Sequence, residues 1–161
     1  MTVRPAPSRF DQKMSGIALQ LEHSVEADVT AEFAWKYRTD IANWYDPPAR
    51  FALDGAFIAG ARGTTELPGQ QPLHWKVREV QPPDSFVLEM ELDRAILTFE
   101  WRFDASSAQR TRMTQKIVLA GENAAVYVEQ IRAGFTPGLV DGMRRIAADM
   151  AAAQRRSTSV G

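Results

Sequence analysis

Five stretches of this chain alternate apolar and polar residues with a period of two, and one long stretch near the C-terminus repeats its apolar residues at three and four. A strand sends successive side chains to opposite faces, whereas a helix gathers residues three and four apart on one face. The first stretch, Ile17–Ala27, puts Ile17, Leu19, Leu21, His23, Val25 and Ala27 on one side and Gln20, Glu22, Ser24 and Glu26 on the other. Leu73, Trp75 and Val77 alternate with His74, Lys76 and Arg78, and Phe86, Leu88, Met90 and Leu92 with Val87, Glu89 and Glu91. Ala95, Leu97, Phe99, Trp101 and Phe103 alternate with Ile96, Thr98, Glu100 and Arg102, and Met113, Gln115, Ile117 and Leu119 with Arg112, Thr114, Lys116 and Val118. Strands with one apolar and one mainly polar face build an antiparallel sheet covered on one side.

Turn chemistry sets the remaining elements. Thr30 caps a helix, Glu32 sits in its first turn, and Phe33, Ala34, Tyr37 and Ile41 recur at helical spacing. The run Asn43-Trp44-Tyr45-Asp46-Pro47-Pro48 ends it, which predicts one or two short helices over residues 30–45. Phe51 to Leu53 reads as a short strand, and Gly60, Gly63, Pro68 and Gly69 punctuate a hairpin around Thr64 to Leu67. The covering layer is the last element. Asn123 starts a helix in which Val128, Ile131, Phe135, Leu139, Met143, Ile146 and Met150 form one stripe. Pro137, flanked by Gly134 and Gly138, predicts a kink or break near 134–138, where a hinge would gate an entrance. The predicted fold is α+β: a curved antiparallel seven-stranded sheet wrapped around a long C-terminal helix, with two short helices after the first strand. Residues 1–15 read as a flexible extension, 16–153 as one folded domain and 154–161 as a flexible tail.

One helix is too little to fill the concave side of seven strands. The shortfall is met either by a cavity or by the short helices and loops, and function turns on which. Composition narrows the contents. The 161 residues include 19 Lys and Arg against 20 Asp and Glu, a net charge of −1 with a pI near 6.1, which argues against a nucleic-acid partner held by a broad basic field. No cysteine is present, which removes thiolate metal sites and cysteine nucleophiles. His23 and His74 have no metal-ligand spacing, so no metal and no cofactor are expected. No apolar run reaches the ~18 residues of a membrane span. The N-terminus lacks an apolar signal core, so a cytoplasmic location is expected, as a monomer or homodimer.

Four segments, VEADVTAEFAWKYRTDIANWYDP, LDGAFIAGARGTTEL, WKVREVQPPDSFVLEMEL and the long terminal helix, carry a family resemblance over about residues 16–153. In them the chain resembles the START-like, or SRPBCC, superfamily, which includes the birch-pollen allergen and the polyketide cyclase/dehydrase group. The resemblance implies a helix-grip fold around an apolar cavity. It implies hydrophobic-ligand binding as the commonest activity, cyclisation or dehydration of polyketides in some members, and protein binding in others. Its motifs are structural and carry no shared catalytic residue.

The inward faces supply the candidate cavity wall: Trp75, Val77, Leu88, Met90, Leu97, Phe99, Trp101 and Met113 from strands, Phe135, Leu139 and Met143 from the terminal helix, and Trp44 from the first helical segment. Each is equally an ordinary core residue, and the set is singled out because aromatics and methionines make adaptable walls. His23 is either a buried histidine satisfied by a neighbour or a contact to a ligand, and a general base if there is turnover. Gln115, also inward by parity, either partners His23 or orients a polar ligand group. Glu79 follows Trp75 and Val77 in parity but is expected at a solvated rim, because a lone buried carboxylate is costly. Tyr37 is placed against the helix beneath it or at the cavity mouth. Asp141 has the spacing of a surface ion pair with Arg144 or Arg145.

Three functions fit these residues. The first is a binder enclosing a hydrophobic or aromatic small molecule, lipid- or polyketide-like. The second is an aromatase/cyclase-type enzyme using His23 to move a proton. The third is a protein-interaction module with a filled core.

Overall fold

The computed structural model describes residues 16–159. Seven strands form one antiparallel sheet in the order β1-β7-β6-β5-β4-β3-β2. They are β1 (Ile17–Ala27), β2 (Arg50–Leu53), β3 (Arg62–Glu66), β4 (Leu73–Gln81), β5 (Ser85–Leu92), β6 (Ala95–Ser107) and β7 (Arg110–Ala120). Helix α1 (Ala31–Arg38) and a 3-10 turn (Ile41–Asn43) follow β1, and a second 3-10 turn (Ala124–Tyr127) leads into α2 (Val128–Ser159). This is the expected helix-grip arrangement.

Connectivity dictates what lies on the concave side. β1 and β2 are consecutive in the chain but occupy opposite edges of the sheet. Six inter-strand spacings separate them, about 29 Å if the sheet were flat. The segment between them therefore has to cross the breadth of the sheet, and it carries α1 and Trp44 with it. Thr30 caps α1 by accepting a hydrogen bond from the Phe33 N–H at 3.1 Å, and its own N–H donates to Gln154 Oε1 at 2.9 Å. Thr30→Ala removes the cap, and the expected loss is about 1 kcal/mol in urea unfolding.

Irregularities in the ladders decide which side chains face in. Between Val77 and Glu79 the β4–β5 register shifts by one residue. Glu79 then stands opposite the outward Val87 and Val80 opposite the inward Phe86, so the bulge inverts the parity of the rest of β4. Glu79 is exposed and accepts a hydrogen bond from Gln81. A similar shift between Ile17 and Leu19 leaves Ile17 exposed rather than inward. The outer face is less solvated than alternation predicts. Glu89 is buried there, held by Lys76 at 3.1 Å and Arg78 at 3.0 Å, and Val87, Thr98 and Val118 are buried as well. Long charged neighbours share that face, and their stems cover apolar surface.

The terminal helix departs from expectation in three places. Of the kink or break expected near 134–138, the break does not occur: the helix is continuous through Pro137, because a proline's missing N–H removes one bond from a helix held by many others. It also runs to Ser159, where a tail from residue 154 was expected, and Gln154 ties its end to Thr30. Asn123 does not cap it; the Asn123 side chain instead donates to the Asp93 carbonyl at 3.0 Å. The expected extension over residues 1–15 lies outside the described residues.

Candidate functional site

The concave side is packed as two clusters. One gathers Ala27, Val29, Phe86, Trp101, Phe103, Met113, Met143, Ala147 and Met150, with α1 laid against it. The other gathers Leu19, Ala95, Leu97, Ile117, Leu119, Ala124 and Ile131. Among the described residues Leu139 packs against both. Between them the inward-facing side chains Leu21, His23, Leu88, Phe99, Gln115, Phe135 and Leu139 are only half-buried. Inward direction with residual exposure sets these side chains apart from the fully buried members of the two clusters.

The candidate wall residues divide accordingly. Val77, Leu97, Met113, Met143 and Trp101 are packed core, each 2% exposed or less, and Trp75 is nearly so. His23, Trp44, Leu88, Met90, Phe99, Gln115, Phe135 and Leu139 keep accessible surface. Phe99 meets Phe135 edge-on with centroids 5.3 Å apart, joining β6 to α2.

His23 and Gln115 are direct cross-strand partners, and Gln115 is paired in turn with Trp101, which is paired with Phe86. The two polar side chains thus lie on the rung of the sheet that carries Trp101. Neither side chain makes a hydrogen bond among the described residues, to the other or to backbone. Tyr37 packs on Phe33 with centroids 6.1 Å apart, and burial raises its hydroxyl pKa, with a further push from Asp149.

Arg38 is the residue that periodicity alone did not single out. Its guanidinium lies 4.3 Å from the centroid of Trp101 and 4.9 Å from that of Trp44. The end of α1 builds this arrangement. The last carbonyls of a helix lack intrahelical donors; here Asn43 Nδ2 donates to Tyr37 O at 3.0 Å and Trp44 Nε1 to Arg38 O at 2.7 Å. The second bond locks the indole beside the side chain of the residue that it caps. Trp44 is further fixed by stacking on Trp75 at 5.5 Å and by edge contacts with Phe51 and Phe57. Trp75 Nε1 donates to Thr65 Oγ1 at 3.0 Å. Arg38 forms no hydrogen bond or ion pair among the described residues, and its Nε is buried without an acceptor. Desolvation lowers its pKa to about 10, offset in part by Tyr37 and Asp46, so it is a cation at neutral pH. The signal in the sequence was its spacing: Ala34, Arg38 and Ile41 fall at i, i+4 and i+7, which puts a lone cation on the buried stripe of α1.

Asp46, the nearest carboxylate in that loop, is engaged elsewhere. It pairs with Arg145 of α2 at 3.4 Å, and Arg145 also donates to Tyr45 O at 3.2 Å. This contact ties the loop after the 3-10 turn to the middle of α2. Asp141 pairs at the surface with Arg144, at 3.9 Å. A shallow surface cleft of about 360 Å³, lined by Thr30, Phe33, Lys36, Gln154 and Thr158 among others, involves none of the candidate wall residues. Among the described residues no group of three or more His, Asp or Glu is arranged to hold a metal, and no helix is long and apolar enough to cross a membrane.

Solved structures share this fold at low identity. Norcoclaurine synthase from Thalictrum flavum superposes with a TM-score of 0.68 at 11% identity, covering 88% of this chain and 99% of that one. The Zhui aromatase/cyclase from a Streptomyces species superposes at 0.64 with 15% identity, covering 89% and 98%. Comparison with curated proteins gives no match. Residues 18–154, nearly all of the described chain, match the family model described as polyketide cyclase / dehydrase and lipid transport, and the protein belongs to that family.

Proposed function

We propose that the protein encloses a hydrophobic or aromatic small molecule, lipid- or polyketide-like, between the sheet and α2. The observation that carries this reading is the set of inward-facing but accessible residues between two closed clusters, with Phe99, Phe135 and Leu139 at its centre. Burying a flat apolar body there is favoured by roughly 25 cal/mol per Å² of apolar surface, before association costs. Membership of a family described by cyclisation, dehydration and lipid transport agrees with such an occupant.

A filling substitution tests it. Naphthalenemethanol, a neutral aromatic probe, is titrated into the full chain while tryptophan fluorescence is followed. Leu139→Trp places a larger side chain in the hollow and is expected to weaken the probe by at least about tenfold. Its melting temperature should change little. In a filled core the same change would overpack and cost about 1–3 kcal/mol, so a large stability loss with no probe binding in either protein rejects the reading. Native mass spectrometry of freshly purified protein gives the complementary readout, a co-purified small molecule.

A second reading, an aromatase/cyclase-type enzyme, is favoured by one observation. His23 and Gln115, whose side chains have no hydrogen-bond partner among the described residues, share a sheet rung with Trp101, against which the cationic Arg38 rests. Proton transfer to or from a reacting group needs such converging polar groups. Under this reading His23→Ala removes turnover; under the first it leaves affinity for an apolar probe largely intact.

A further inference from the structure

Among the described residues Arg38 is a cation without an ion-pair or hydrogen-bond partner. It is held against two indole rings, with its Nε buried and unpaired. A guanidinium has five N–H donors, all in its plane. Aromatic rings interact with its faces and leave the edge, where hydrogen bonds form, unsatisfied. Arg38 as a whole is half-buried, and a charge taken partly out of water is costly unless paired; two ring contacts replace only part of the lost hydration. The nearby carboxylate is turned away: Asp46 is bound to Arg145. Among the described residues, then, the buried Nε of Arg38 has no acceptor, and Asp46 acts on the guanidinium only as a longer-range attraction.

We infer that the occupant of the hollow is an organic anion, a flat apolar body carrying one carboxylate, and that Arg38 receives that carboxylate. This rests on the reading of a ligand-holding hollow and adds its chemical class. The planar fork of a guanidinium matches two carboxylate oxygens side by side, a match that an ammonium does not offer. A single cation suits a monoanion better than a phosphate dianion, which would draw further positive charge. Trp44 and Trp101 orient the fork and present apolar surface to the adjoining body of the ligand. His23 and Gln115, on the rung that carries Trp101, supply uncharged polar contacts at the same end.

The test is a matched pair of probes on the full chain: naphthoate, which carries the carboxylate, and naphthalenemethanol, which does not. Affinities are read by calorimetry near neutral pH. A charge-assisted hydrogen-bonded pair predicts roughly ten- to hundredfold tighter binding of naphthoate. Arg38→Met should abolish that preference, so that the two probes bind alike. Arg38→Lys keeps the charge but not the fork, and should restore the preference only in part. The Arg38→Met protein should melt no lower than the parent, because an apolar side chain of similar length replaces an unpaired buried cation. If Arg38→Met does not fold, the Arg38→Lys comparison decides alone, and an undiminished preference there overturns the inference. Equal binding of the two probes, or a preference that survives Arg38→Met, also overturns it. Binding of the alcohol alone rejects the anion and keeps the hollow; binding of neither probe rejects both.

Discussion

Trp101→Ala is expected to lower the unfolding free energy by about 3–5 kcal/mol, the usual cost of truncating a buried large aromatic. Trp101 is 2% exposed and sits among other rings, with centroids 6.4 Å from Phe86 and 6.3 Å from Phe103. Phe86 is itself wedged against Phe57 and Trp35, so the void opens in the middle of a cluster that cannot close around it. The substitution also strips Arg38 of its nearer ring, leaving a buried cation with one aromatic contact instead of two. Urea unfolding should show a lower midpoint at an unchanged slope. Trp101→Phe keeps a ring in place and should lose much less. A loss below about 1 kcal/mol for the alanine variant would mean that the cluster is not packed as described.

Gly63→Ala is expected to cost about 1–3 kcal/mol although it adds a single methyl group, because overpacking forces neighbours to move. Gly63 in β3 stands directly opposite Trp75 in β4. The Trp75 ring lies over it so closely that an added Cβ would stand 2.3 Å from the ring edge. The indole would have to swing away, losing its stack on Trp44 and its bond to Thr65. Trp44 would then lose its stacking partner, which loosens the ring that lies against Arg38. Near-ultraviolet circular dichroism should therefore change along with the urea midpoint, and naphthoate affinity should fall more than naphthalenemethanol affinity. An unaltered tryptophan signal would show that Trp75 does not rest on Gly63.

Much of the architecture was readable from residue order because period two and period 3.6 are local properties. β1, β5, β6, β7 and α1 lie where alternation and capping put them, and Thr30 caps α1 as its position predicts. The limits of such reading appear where one extra residue changes parity: Glu79 turns outward and Val80 inward because of a bulge that no local pattern marks. They appear again at the end of α2, where Gln154 extends the helix by reaching Thr30, at the far side of the chain in sequence.

The site divides along the same line. Alternation alone put His23, Gln115, Phe99 and Trp101 on one face, since a strand's two faces follow from backbone geometry whatever lies above them. It could not tell which of the candidates are fully buried and which keep accessible surface, because that depends on how far α1 and α2 stand from the sheet. Nor could it bring Arg38 to Trp101. That contact exists because β1 and β2 lie at opposite edges of one sheet, which obliges the segment between them to cross the concave face. A cation distant in sequence is thereby carried onto the ring of β6, and only the closed three-dimensional path of the chain specifies that meeting.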